Sequence, residues 1–175
     1  MNAADAGPSR DTAHRGIWVA AFAISFAYVE SAVVVYLREI YFRGSFDFPL
    51  ATVWENGRRA VDPLILVEMG REAATIVMLA AAGILAGRTG LQRFCFFMIA
   101  FGVWDIFYYV WLYVILGWPE SLMTWDLLFY IPLPWVGPVI TPILIAATMT
   151  AAGALLIALE NRGFRIRWRR RDWAI

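Results

Sequence analysis

The sequence predicts an all-α fold of the membrane-embedded kind: a bundle of four spanning helices, with a short interfacial or re-entrant helix between spans three and four. Three observations carry this. Of 175 residues, 61% are hydrophobic and the mean hydropathy is +0.63, more apolar surface than a soluble core of this size needs. Four stretches, at about 17–37, 64–86, 94–116 and 135–159, match the roughly 20 helical residues that cross a hydrocarbon layer. A further stretch at 120–130 has only about eleven residues, too few to cross, which assigns it to the interface.

Taken in order, residues 1–16 are rich in Ala, Gly, Asp and Pro and read as a disordered tail. The first span is too long for a typical signal-peptide core and has no small-residue cleavage pattern, so it reads as a retained anchor helix. It carries Glu30. The loop that follows is polar and aromatic, broken by Gly44, Pro49 and the Asn56-Gly57 turn signal, with an interfacial segment at 50–54. The second span carries Glu68, Arg71 and Glu72. The third carries Trp104, Asp105 and Tyr108. Pro119 suits the first turn of the short helix, which carries Trp125 and Asp126 and ends at Pro132 and Pro134. Span four opens with Pro138 and Pro142, whose missing N–H groups leave carbonyls for neighbouring helices or water to satisfy. Residues 17–160 thus form one transmembrane domain, and 161–175 a basic tail suited to a phospholipid surface.

Charge distribution sets the orientation. The net charge is +1, every one of the 15 basic residues is arginine, and six of them follow Asn161. Arg10, Arg15, Arg88, Arg93 and this cluster fall on one side of a four-span topology, and Arg38, Arg43, Arg58 and Arg59 of the first loop on the other, with none in the loop at 117–134. The positive-inside rule then predicts a multi-pass protein of the cell (inner) membrane with both termini cytoplasmic. Expected partners are the bilayer itself, anionic lipids at the C-terminal arginine cluster, and a second copy or another membrane subunit; no nucleic acid is expected.

The missing residue types exclude much chemistry. Without lysine there is no lysine-linked cofactor and no P-loop. The single histidine, His14, lies outside the expected spans, so no histidine-ligated haem, zinc or copper site is expected in the bilayer. The single cysteine, Cys95, reads as a packing residue.

The intramembrane charges are the functional signal. A charge at mid-bilayer costs about 2.5–3.5 kcal/mol on insertion scales, so Glu68, Arg71 and Glu72 need partners or water. Residues three and four apart share a helix face, which groups Glu68, Glu72, Thr75, Leu79 and Gly83 in one inward stripe bordered by Arg71. Ala80, Ala82, Gly83, Ala86 and Gly87 form a small-residue surface at which another helix can approach closely, and a homodimer through it is one expectation. Depth estimates bring Glu30, Glu68, Glu72, Asp105 and Asp126 to the same half of the bundle.

Two readings stay open. In one, Arg71 is a buried counter-ion for Glu68, Glu72 or Glu30, and the network fixes helix register. In the other, a water-accessible acidic pocket binds or conducts a cation, protons or a polar small molecule. Its candidate residues are Glu30, Glu68, Arg71, Glu72, Trp104, Asp105, Tyr108, Trp125 and Asp126, with a cation–π or stacking role for Trp104. A hard divalent cation would suit carboxylate ligands, here Glu68, Glu72 and Asp105. An accessory or assembly subunit of a membrane complex is the second function class. A membrane-embedded enzyme acting on a lipid headgroup, with one of these acids as general base, is the third.

The segments REAATIVML, GVWDIFYYVWL and GWPESLMTWDLLFYIPLPWVGPV, within about 68–141, resemble a family of small prokaryotic four-span membrane proteins of uncharacterised function. The resemblance implies the four-span architecture and marks Glu68, Arg71, Glu72, Trp104, Asp105, Trp125 and Asp126 as family-pattern positions. It implies no activity.

Overall fold

The computed structural model describes residues 8–41, 54–55, 58–59 and 63–163. Its helices are α1 (Pro8–Tyr41), α2 (Pro63–Ala86), α3 (Gly90–Leu116) and α4 (Ile140–Asn161). Two antiparallel strand pairs accompany them, β1 (Trp54–Glu55) with β2 (Arg58–Arg59), and β3 (Trp125–Phe129) with β4 (Trp135–Pro138). All four helices are long and apolar enough to cross a membrane. Large apolar side chains such as Ile17, Leu85 and Leu155 point outward, as they do where the solvent is lipid. The chain is a multi-pass membrane protein.

α3 is the hub, packing against each of the other three helices, while α4 packs chiefly on α3. Small residues permit this closeness. A Cβ on Gly83 of α2 would come within 2.6 Å of the Phe97 backbone nitrogen on α3, and one on Gly153 of α4 within 2.8 Å of the Cys95 carbonyl oxygen. The Gly83 face expected to join two copies is therefore filled by α3 of the same chain. Ala23, Ala27 and Ala100 are fully buried and pack in one core with Leu79 and Phe96. Polar groups on helix faces tie helix to helix: Ser31 Oγ donates to the Tyr108 carbonyl at 3.0 Å, and Trp111 Nε1 to the Ile24 carbonyl at 3.1 Å.

Helix α1 begins at Pro8, about two turns before the expected start and inside the stretch read as a disordered tail. Proline suits a helical first turn, and Asp11 in that turn complements the helix dipole. Tertiary contacts then hold the extension. Arg15 is paired with Asp11 at 3.0 Å and donates to the Ala86 carbonyl and, at 3.3 Å, to Gln92 Oε1 across the bundle.

Between α2 and α3 the sequence Thr89-Gly90-Leu91-Gln92 forms a capping box. Thr89 Oγ1 accepts from the Gln92 N–H at 3.1 Å, and Gln92 Oε1 reaches back to the Arg88 N–H at 3.1 Å. This starts α3 at Gly90, a turn before the expected 94. Thr89 Oγ1 also donates to Glu160 at 2.8 Å, so the start of α1, this turn and the end of α4 meet at one end of the bundle, here the turn end.

At the opposite end the structure corrects the expected re-entrant helix: residues 125–138 form a β-hairpin. Pro132 and Pro134 bar a continuing helix, and the two short runs that flank them satisfy each other's backbone, with Trp125 opposite Pro138 and Leu127 opposite Val136. The fourth span consequently starts at Ile140 instead of 135. Pro138 falls in β4 and Pro142 in the first helical turn, where a missing N–H leaves no carbonyl unpaired. The interfacial segment expected at 50–54 lies outside the described residues except for Trp54, and the arginine tail lies outside them from 164 onward.

Candidate functional site

The stripe on α2 is buried as its spacing requires: Glu68, Glu72, Thr75 and Leu79 are all under one-tenth exposed. It meets α1 at Glu30, itself buried one residue before Ser31. Arg71, at the border of the stripe, is paired with Glu30 through Nη1 and with Glu68 through Nη2 at 2.7 Å and Nε at 3.0 Å. Thr75 Oγ1 donates to the other Glu30 oxygen at 2.7 Å. One guanidinium and one hydroxyl thus serve two carboxylates from two helices.

Glu72 is held differently. The backbone N–H of Tyr130, just past β3, donates to its two oxygens at 2.9 and 3.0 Å. The hairpin is thereby latched to α2. A second latch runs to α3, where the Tyr109 hydroxyl donates to Asp126 of β3 at 3.1 Å. Asp105, one turn before Tyr109, is also buried, as is Asp126. Alternation along β3 buries Asp126 and turns Trp125 outward, 63% exposed, so Trp125 does not join the network.

Sequence reasoning missed Tyr109 and Tyr130. Tyr130 contributes a backbone donor, which no residue type advertises. Its side-chain hydroxyl is buried with no hydrogen-bond partner among the described residues. Burial first, then the nearby charges of Glu68 and Glu72, push its pKa up to about 12, so the phenol stays protonated. Trp104 packs against Phe101, Tyr108 and Phe129, and its Nε1 is likewise buried without a hydrogen-bond partner among the described residues. Tyr108 stacks between Trp104 and Tyr109 and supplies the carbonyl that Ser31 binds.

The network has two lobes, Glu30/Glu68/Arg71/Glu72/Thr75 on α1 and α2, and Asp105/Tyr109/Asp126 on α3 and β3. The hairpin joins them. The three carboxylates expected to ligate a divalent cation are divided between the lobes, and no group of three or more His, Cys, Asp or Glu among the described residues is placed to hold a metal ion. Glu68 is bound by Arg71 and Glu72 by a backbone N–H. Comparison with protein-family models, curated proteins and solved structures found no match, so the four-span architecture is the part of the family resemblance that stands.

Proposed function

We propose that the hairpin end of the bundle is a cation-binding site of a multi-pass membrane protein, taking up protons or a small monovalent or organic cation in its carboxylate network. The observation that carries this reading is the imbalance of buried charge. Glu30, Glu68, Glu72 and Asp105 are all buried there, and the ion pairs shown for them among the described residues are with one arginine, Arg71. Arg71 is paired with both Glu30 and Glu68, one positive charge for two carboxylates. Uncompensated charge in a low-dielectric bundle is costly, and an incoming positive charge relieves it. The protonated Tyr130 hydroxyl beside Glu68 and Glu72 adds a donor and acceptor to the same region.

The orientation proposed places the turn end, with Arg10, Arg15, Arg88, Arg93 and Arg162, in the cytoplasm, so that the acidic end faces outward. The test is thermal unfolding in nanodiscs across pH and across series of sodium, small alkylammonium and divalent ions at matched ionic strength. A saturable stabilisation by protons or a monovalent or ammonium ion, lost in Glu72→Gln and Asp105→Asn variants that still fold, supports the reading. No saturable response to any ion or to pH contradicts it.

A second reading, an accessory subunit of a membrane complex, is favoured by the hairpin surface. Leu133 is 75% exposed, and Trp125 and Trp135 of the same hairpin are exposed as well, apolar side chains available to a partner. Co-purification of a stoichiometric membrane partner that is lost in Leu133→Ser would support it.

A further inference from the structure

A groove of about 290 Å³ lies between α1 and α2 at the turn end, with Arg15, Trp18, Phe22, Ala82, Leu85 and Ala86 in its lining. We propose that this groove seats an acyl chain of an anionic phospholipid whose headgroup phosphate is held by Arg88, beside the fixed positive charge of Arg15. The inference is independent of the carboxylate network at the other end.

The lining has the two-part character of a lipid. Its walls are apolar, and Trp18 and Leu85 open outward from segments that lie within the spanning stretches, so the groove faces the bilayer laterally. Its polar end is a fixed guanidinium. Arg15 is held by Asp11 at 3.0 Å, by Thr12 Oγ1 at 3.1 Å, by Gln92 Oε1 at 3.3 Å and by the Ala86 carbonyl, with the Phe96 ring 5.6 Å beneath its guanidinium carbon, so it contributes a fixed charge. Arg88, whose side chain is 69% exposed, reaches the same Asp11 at 3.1 Å and retains donors for a second acceptor.

Charge complementarity selects the occupant. The described residues of the turn end include Arg10, Arg15, Arg88, Arg93 and Arg162, while the acids Asp11 and Glu160 are already engaged by Arg15, Arg88 and Thr89. The local surplus is positive at the end of the spanning stretches, and an exposed guanidinium such as Arg88 binds phosphate through paired N–H donors. A zwitterionic lipid brings its own ammonium into that field and gains less. A second copy of the chain would have to bring an acid to Arg88.

Bromolipid quenching in nanodiscs tests this on the full chain. The discs are phosphatidylcholine with a minority of phosphatidylglycerol, and bromine is placed on the acyl chains of one lipid or the other. The signal of Trp18 is taken as the difference between the parent and Trp18→Phe. Brominated phosphatidylglycerol should quench Trp18 more strongly than brominated phosphatidylcholine at equal mole fraction. Arg88→Gln, on an exposed side chain, should lower that preference about fivefold, since each basic residue near an anionic surface contributes about 1 kcal/mol. Ala82→Phe should fill the groove and remove the preferential quenching. Arg15→Gln also cuts contacts that hold α1, so Arg88→Gln is the deciding variant. Equal quenching by the two lipids, or a preference unchanged in Arg88→Gln, overturns the proposal. Efficient Trp18→Cys cross-linking between copies would assign the groove to a second chain and overturn it as well.

Discussion

Arg71 on α2 forms an ion pair with Glu30 on α1, and the same guanidinium holds Glu68 one turn back on its own helix. The pair bridges two helices that otherwise touch each other much less than either touches α3. Its removal strands two buried carboxylates at once. Arg71→Met should therefore destabilise the fold by about 3–5 kcal/mol, the cost of breaking a buried ion pair from one side. Adding Glu30→Gln and Glu68→Gln to that variant should recover part of the loss. Denaturant unfolding in mixed micelles measures both, and an Arg71→Met variant as stable as the parent would show that the pair carries no structural weight.

The Glu72 latch predicts a local effect with a local readout. Because the acceptor of the Tyr130 N–H is a carboxylate, Glu72→Ala leaves that donor unpaired and should cost roughly 1.5–3 kcal/mol. Glu72→Gln keeps an acceptor and should cost less. Hydrogen exchange at the Tyr130 amide should speed up in Glu72→Ala, with the amides of α4 unaffected. Uniform acceleration across the chain would mean that the latch is not specific to the hairpin.

Tyr130 gives a pH prediction. Its phenol pKa is raised from an ordinary 10.0 to about 12. A raised folded-state value means the stabilisation from the protonated group is complete below pH 10 and is lost as pH rises through about 12. Stability should fall across that window, and Tyr130→Phe should flatten the Tyr130 contribution. At neutral pH the same substitution should be close to neutral, because the hydroxyl has no hydrogen-bond partner among the described residues. A parent and variant with parallel alkaline profiles would contradict the assignment.

The helix interface at Gly83 predicts where a bulky residue acts. Gly83→Val should destabilise the single chain by roughly 1–3 kcal/mol, since α3 backbone occupies the space its side chain would need. It should leave the oligomeric state unchanged. Light scattering in detergent beside an unfolding curve separates these outcomes, and a shift from dimer to monomer without loss of stability would place Gly83 at an interface between copies.

How much of this was legible in the sequence follows from which contacts are local. The spanning helices announced themselves through apolar runs, and the buried stripe of Glu68, Glu72, Thr75, Leu79 and Gly83 followed from helical spacing alone. Arg71 was recognisable as a counter-ion, but its choice of Glu30 and Glu68 over Glu72 depends on how α1 lies against α2. The hairpin was misread because a run as short as Trp125 to Phe129 does not discriminate strand from helix, and its strand identity comes from pairing with Trp135 to Pro138. The early start of α1 rests on Arg15 meeting Ala86 and Gln92, partners more than seventy residues away. The capping box at Thr89-Gly90-Leu91-Gln92, by contrast, was present as a readable motif and fixes the start of α3.

The central claim is that the hairpin end holds more buried negative charge than Arg71 neutralises and makes up the difference with a bound positive charge. Infrared difference spectroscopy of the protein in nanodiscs, on stepping pH or adding the stabilising cation, observes the carboxyl groups themselves. Carboxyl and carboxylate bands should change on the step and disappear from the difference spectrum in Glu72→Gln and Asp105→Asn. Difference spectra of the parent that superimpose on those of both variants would contradict it.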